Sequence, residues 1–129
     1  MQLLLVHDLP FVSVQIDYRG AMLDIPHILL DTGSATTLLS ADIAEKVGIT
    51  PHPDDRLRNV YGVGGIETVF MRRLDSIQVE RSSLKSFVVD IGGMDYVRDV
   101  NGILGMYFLL KTGAVIDLAQ RTVEFQEMD

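Results

Sequence analysis

Apolar and polar positions follow one another along this chain in short runs that mostly alternate, the periodicity of strands half-buried against a core. Phe11-Val12-Ser13-Val14-Gln15-Ile16 sets Ser13 and Gln15 on one face. Asp17-Tyr18-Arg19-Gly20 is a turn signal, and Ala21 to Ile25 follows as the return strand of a hairpin. Pro26 has no N–H for a ladder, so the line from Ile25 to Leu30 should bend there. Thr36-Thr37-Leu38-Leu39 is β-prone again. Ser40 is then placed to cap a short helix, Ala41 to Val47, with Ile43 and Val47 one turn apart on one face. Asp42 and Lys46 lie at the ends that suit the helix dipole. Gly48 and Pro51 mark its stop.

Further on, Leu57 to Tyr61 and Ile66 to Met71 read as strands flanking a glycine-rich tip, Gly62-Val63-Gly64-Gly65. Leu74 to Val79 and Ser86 to Ile91 read as two more, joined by the polar turn Glu80-Arg81-Ser82-Ser83. Asn101-Gly102-Ile103-Leu104-Gly105 precedes an apolar helical turn, Met106 to Lys111, closed by Gly113. Ala114 to Leu118 and Thr122 to Phe125 form a closing hairpin. Eight or nine short strands with one clear and one brief helix define an all-β class, a small closed or sandwich-like barrel.

The length of 129 residues fits a single domain, 1–129, able to bury a core without covalent staples. A net charge of −7 argues against a general nucleic-acid binder, which needs a positive surface. The short basic spots Arg56-x-Arg58 and Arg72-Arg73 read as solvated faces. The chain has no cysteine, which excludes disulfides, thiolate catalysis and Cys-based zinc sites. Its longest apolar runs, about five to six residues, are far short of a membrane span. The start, Met1 to Asp8, lacks the basic region and the apolar length of a signal peptide, so a chain complete as given would be expected in the cytoplasm.

Several chemistries lose support on inspection. Gly62-x-Gly64 carries Glu67 where a dinucleotide fingerprint needs its third glycine, and no helix follows. A hairpin with such a tip suits a flap over a site instead, or an ordinary bulged hairpin. His7, His27 and His52 lie in no metal-ligand spacing. Ser34 and Ser40 have no nucleophile elbow around them.

Paired carboxylates remain. Ile28-Leu29-Leu30 runs without a break into Asp31-Thr32-Gly33-Ser34, setting a carboxylate on a sharp turn at the end of a buried strand. Asp disfavours strands and is rarely buried unpaired. An ordinary Asp-Thr-Gly turn would look the same in isolation. Two acids sharing a proton can activate water against a peptide carbonyl, provided both sit on rigid turns. The second acid could be Asp17, Asp24, Asp75, Asp90, Asp99 or Asp117, or Asp31 of a second copy across a two-fold axis.

With these elements in order, the chain resembles a retropepsin-like aspartic protease, one of the single-domain, homodimeric relatives of pepsin. Leu29-Leu30-Asp31-Thr32-Gly33-Ser34-Ala35 resembles the family's signature. Gly102-Ile103-Leu104-Gly105, followed by a short helix, is similar to the element that crosses behind the catalytic turn, and Asn101 before it fits bacterial members. The tip around Gly62 to Gly65 is similar to the family's flap, and Val115 to Leu118 also falls in order.

The resemblance implies a small closed barrel of the acid-protease type. It implies Asp31 as catalytic acid, one from each subunit of a homodimer, on an active-site turn of Thr32, Gly33 and Ser34. Thr32 would bond across the dimer, and Gly33 would let substrate and water approach. Gly102, Ile103, Leu104 and Gly105 would support the turn. Gly62, Val63, Gly64, Gly65 and Ile66 would form a flap over an extended peptide or protein substrate, with Tyr61 as a further substrate contact. It implies no metal and no organic cofactor, and water as the nucleophile of an endopeptidase. A catalytically weak peptide-binding or dimerisation module on the same fold is the alternative. Met106 and Tyr107 stand where viral members often carry Arg-Asn, so that arginine buttress is absent.

Overall fold

The computed structural model describes residues 1–62, 65–94 and 99–126. Among them are ten strands and two short helices. β1 (Leu4–Val6), β2 (Leu9–Tyr18) and β3 (Ala21–Leu30) form an antiparallel meander. β4 (Leu38–Ser40) leads into α1 (Ala41–Glu45). β5 (Leu57–Gly62), β6 (Gly65–Val79) and β7 (Ser82–Gly92) form a second meander. β8 (Gly102–Leu104), α2 (Met106–Lys111), β9 (Val115–Asp117) and β10 (Thr122–Glu124) complete the chain.

Eight strands lie in one sheet, in the order β1-β2-β3-β8-β4-β7-β6-β5. β6 also pairs with β2, through Gln15 with Gln78, Ile16 with Ile77 and Asp17 with Ser76. The pairings from β2 to β6 therefore return on themselves, leaving β1 and β5 outside the ring.

The alternation read from β2 holds. Val12, Val14, Ile16 and Tyr18 are buried, while Ser13 is exposed. The bend at Pro26 is a bulge: Val14 pairs with Ile25 but Val12 with Ile28. His27 absorbs the extra residue at φ +57°.

The main core joins Ile16, Ile28, Leu39, Leu74, Ile77, Ile91, Leu104 and Phe108 with their neighbours. A smaller cluster of Phe11, Leu38, Val69, Met94 and Val100 packs against Leu29, Val60 and Ile103. It lies where β5 and β6 approach the strands that flank Asp31.

Several expectations need correction. Leu74–Val79 and Ile66–Met71 are one strand, β6, because Arg72 does not interrupt it. Its guanidinium reaches the Asp55 carboxylate at 2.8 Å, the Thr50 carbonyl at 2.9 Å and the Tyr18 hydroxyl at 3.1 Å. Arg72 is thus no solvated face, although Arg73 is exposed. Arg58 is no solvated face either, as described below.

β7 starts at Ser82, so the turn before it is Glu80-Arg81 alone. β4 starts at Leu38 and not Thr36: residues 31–37 belong to the loop, where the Thr36 and Thr37 hydroxyls bond Asp90 and the Gly105 N–H. Ser40 sits at the N-cap of α1 without a capping side-chain bond, its backbone engaged at the end of β4. α1 stops at Glu45, two residues before Val47.

The glycine stop of α1 holds. Gly48 at φ +84° donates to Glu45, and Ile49 donates to Ala44. Gly113 at φ +58° closes α2 in the same way. β1 escaped the sequence reading. Its hairpin turn is His7-Asp8, both at positive φ, a two-residue turn without glycine.

Candidate functional site

Asp31 follows the last residue of β3, and β4 begins at Leu38, so residues 31–37 form a loop between two strands of one sheet. Between those strands lies β8. It runs parallel to β3, with Ile28 opposite Gly102 and Leu30 opposite Leu104, and antiparallel to β4, with Leu38 opposite Ile103. Neighbours in sequence are thus separated in the sheet by a strand that arrives about seventy residues later.

The loop is held at each step. Asp31 N–H donates to the Leu104 carbonyl at 3.0 Å. The first amides of α2, Met106 and Tyr107, donate to the Ser34 and Ala35 carbonyls at 2.7 and 3.0 Å. Gly105 N–H donates to Thr37 Oγ1 at 3.2 Å. Ser34 Oγ donates to the Thr36 carbonyl at 2.8 Å. Asp31 Oδ1 accepts the Gly33 N–H at 2.8 Å, which orients the carboxylate over its own turn. Asp31 is half-buried, while Thr32 and Gly33 are exposed.

Two glycines are required by space. A Cβ on Gly105 would stand 2.1 Å from the Thr36 carbonyl oxygen, and one on Gly102 would stand 2.5 Å from that of Leu38. Both obstacles are main chain and cannot rotate away. Gly33 is less confined, since a Cβ there would meet only a side-chain atom, Asp31 Oδ1, at 3.2 Å. Asn101 secures the start of β8: its Nδ2 donates to the Pro26 carbonyl at 2.8 Å and its N–H to that of His27 at 2.9 Å.

The structure thus brings Asp31, Thr32, Gly33 and Ser34 together with Gly102, Ile103, Leu104 and Gly105. Tyr61 and Ile66 face each other in register at the end of the β5–β6 ribbon, and Gly62 pairs with Gly65. Tyr61 and Ile66 are 74% and 65% exposed, a small apolar pair at the end of the ribbon. Val63 and Gly64 lie outside the described residues.

Three of the other candidate aspartates have separate engagements, while Asp17, on β2, buries its Oδ1 without a hydrogen-bond partner among the described residues. Asp75 Oδ2 accepts the Arg19 N–H, and Asp117 Oδ1 accepts that of Gln120. Asp24 is exposed midway along β3. Asp90 touches the loop, but at Thr36, whose hydroxyl donates to Asp90 Oδ2 at 2.8 Å. That same oxygen is ion-paired with Arg58 Nη2.

Sequence reasoning named Asp90 only as a candidate second acid and missed its link to Thr36 and Arg58. Asp90 carried one signal, an acid inside the apolar run Phe87 to Ile91. Nothing local joined it to Arg58, which lies on a strand that does not pair with β7.

A half-buried Asp-Thr-Gly turn, locked from behind by an inserted Gly-apolar-apolar-Gly strand in an all-β fold, defines an aspartyl-protease-type domain. The family model of the gag-polyprotein putative aspartyl proteases matches residues 24–111, and the chain belongs to that retropepsin-like family. The match runs from the middle of β3 to the end of α2, so it spans the Asp31 turn, the β5–β6 ribbon and β8. No curated protein matches the chain.

Proposed function

We propose that this protein is an aspartic endopeptidase that acts as a homodimer on extended peptide segments, with the ring of strands serving as the closed barrel of the acid-protease type. One observation carries the reading. The chain sets a single carboxylate on a turn fixed by main-chain bonds, with Thr32 and Gly33 exposed beside it, while Asp75, Asp90 and Asp117 are committed elsewhere. A second Asp31 across a two-fold axis completes the pair.

In that pair, one ionised carboxylate takes a proton from the water that attacks the scissile carbonyl carbon. The protonated partner donates to the carbonyl oxygen. The tetrahedral intermediate then collapses: the leaving nitrogen receives a proton from the acid that took one, the C–N bond breaks, and a hydroxyl of the intermediate returns its proton to the other carboxylate as the carbonyl re-forms. Both carboxylates end as they began, sharing one proton. The β5–β6 ribbon lies over the substrate, whose backbone pairs with strand edges.

Substitution Asp31→Asn tests this reading. Cleavage of a peptide library should fall by about 10²–10⁴-fold while the melting curve stays parental. The parent's rate should depend on pH in a bell shape, since two groups in opposite protonation states are required. Peptide binding without Asp31-dependent turnover would instead identify a binding module on the protease fold.

A further inference from the structure

The Arg58–Asp90 pair has no part in the chemistry just described, yet it joins the two structures that chemistry needs. Asp90 is 2% exposed, on a strand whose neighbours Val89 and Ile91 are fully buried. Its register partners are Leu38 and Met71, both apolar. Only the acid of the pair is buried, since 40% of the Arg58 side chain is exposed, and a pair whose carboxylate is desolvated adds little stability over an apolar pair of similar volume. Arg58 Nε, moreover, is buried with no hydrogen-bond partner among the described residues. Burying that N–H without a partner carries a cost.

Its geometry is specific. Arg58 Nη2 reaches both Asp90 Oδ2 and Thr36 Oγ1, the latter at 2.7 Å. Asp90 holds the loop twice, accepting from the Thr36 hydroxyl and donating its own N–H to the Thr37 carbonyl at 2.9 Å. Thr36 is in turn bonded through its carbonyl to Ser34 Oγ, and Ser34 N–H to the Asp31 carbonyl. On the other side, Arg58 lies on the inward face of β5 with Val60, while Leu57, Asn59 and Tyr61 point outward. In the sheet, β5 pairs with β6 alone.

We infer that Arg58 is a positioning residue that couples the β5–β6 ribbon to the Asp31 loop, so that the ribbon's approach to a bound peptide and the setting of the turn are one event. This deepens the protease reading and rests on it for its kinetic consequence. The coupling itself is a property of the free protein. Asp90, held by Arg58, fixes Thr36; a ribbon drawn away takes Arg58 with it and leaves Thr36 with the carboxylate alone.

The decisive variant is the double substitution Arg58→Met/Asp90→Asn. It removes both charges together, so no buried ion is left unpaired, and the amide oxygen that replaces the carboxylate can still accept the Thr36 hydroxyl. Its melting temperature should exceed that of Arg58→Met alone and return close to the parental value.

Two readouts then bear on the coupling. In amide hydrogen exchange of the free protein, β5 and the loop clamp (Asp31, Ser34, Met106 and Tyr107) should both exchange about tenfold faster than in the parent. In cleavage, KM per active dimer should rise about tenfold, with a smaller fall in kcat. Faster exchange confined to β5, or parental kcat/KM at restored melting temperature, overturns the inference. Should the double variant fail to fold, Thr36→Val, which removes the hydroxyl that Arg58 and Asp90 both hold and leaves their ion pair intact, gives the same two readouts. A parent whose cleavage survives Asp31→Asn removes the protease reading, and the exchange measurement alone then decides the coupling.

Discussion

β8 and α2 hold the Asp31 loop through main-chain groups, whereas the β5–β6 ribbon reaches the same loop through side chains. On the first side, the carbonyls of Leu104, Ser34 and Ala35 and the amides of Asp31, Met106 and Tyr107 interlock, with no space between Gly105 and Thr36. On the second, Arg58 reaches Thr36, Val60 packs in the cluster that holds Leu38, and Tyr61 and Ile66 stand exposed. In the protease reading proposed above, the contrast matches two demands. A carboxylate that must meet another within hydrogen-bond reach needs a turn with one available position. A ribbon that must admit and release a peptide needs contacts that can be broken singly and remade.

The largest test of this contrast falls on Gly105. Gly105→Ala sets a methyl against the Thr36 carbonyl, and neither main chain can yield without unlocking α2 from the loop. A loss of about 3 kcal/mol or more is expected in denaturant titration, and in the protease reading cleavage is lost alongside it. A variant that folds and cleaves like the parent would refute the rigid side of the comparison.

A middle-sized effect is expected from acid. Asp55 lies in the loop before β5 with its side chain 10% exposed, paired with Arg72. Burial pushes its carboxyl up, but the hydrogen bonds from Arg72 and from the His52 N–H, with the nearby charges, outweigh this and hold it below the usual range. A folded value below the unfolded one gives stability that is fully present above the unfolded value and lost as pH falls through the folded one. Asp55→Asn should therefore be less stable than the parent above about pH 5, and the gap should close as pH drops below about 4. Thermal melts of both proteins over that range test it. A constant gap would mean that the pair anchors this loop by shape and not by charge.

The smallest effect on stability belongs to the exposed end of the ribbon. Tyr61→Ala should leave unfolding within about 0.5 kcal/mol of the parent, since the ring is mostly in solvent. In the protease reading, KM should nevertheless rise several-fold. A large stability loss with unchanged KM would make Tyr61 part of the fold and not of the ribbon's contact with substrate.

Local physics made much of this protein legible from residues alone. The alternation in β2, the bend at Pro26, the glycine stops of both helices and the Asp-Thr-Gly turn each depend on neighbours within a few positions, so the chain announces them. The order of the Asp31, Gly62–Gly65 and Gly102–Gly105 stretches was enough to suggest the family that the match over 24–111 establishes. Tertiary structure decided what depends on distant partners. Arg72 could be continuous strand only because Asp55, Thr50 and Tyr18 surround it. The hydroxyls of Thr36 and Thr37 found their partners in Asp90 and Gly105, far along the chain. Arg58 and Asp90, 32 positions apart on strands that do not pair, met only once β6 had folded between them. A sequence displays period and turn chemistry because both are set by adjacent residues. It does not display which charge will be buried against which, since that is fixed by the sheet order, and the sheet order rests on the sum of all the strand pairings.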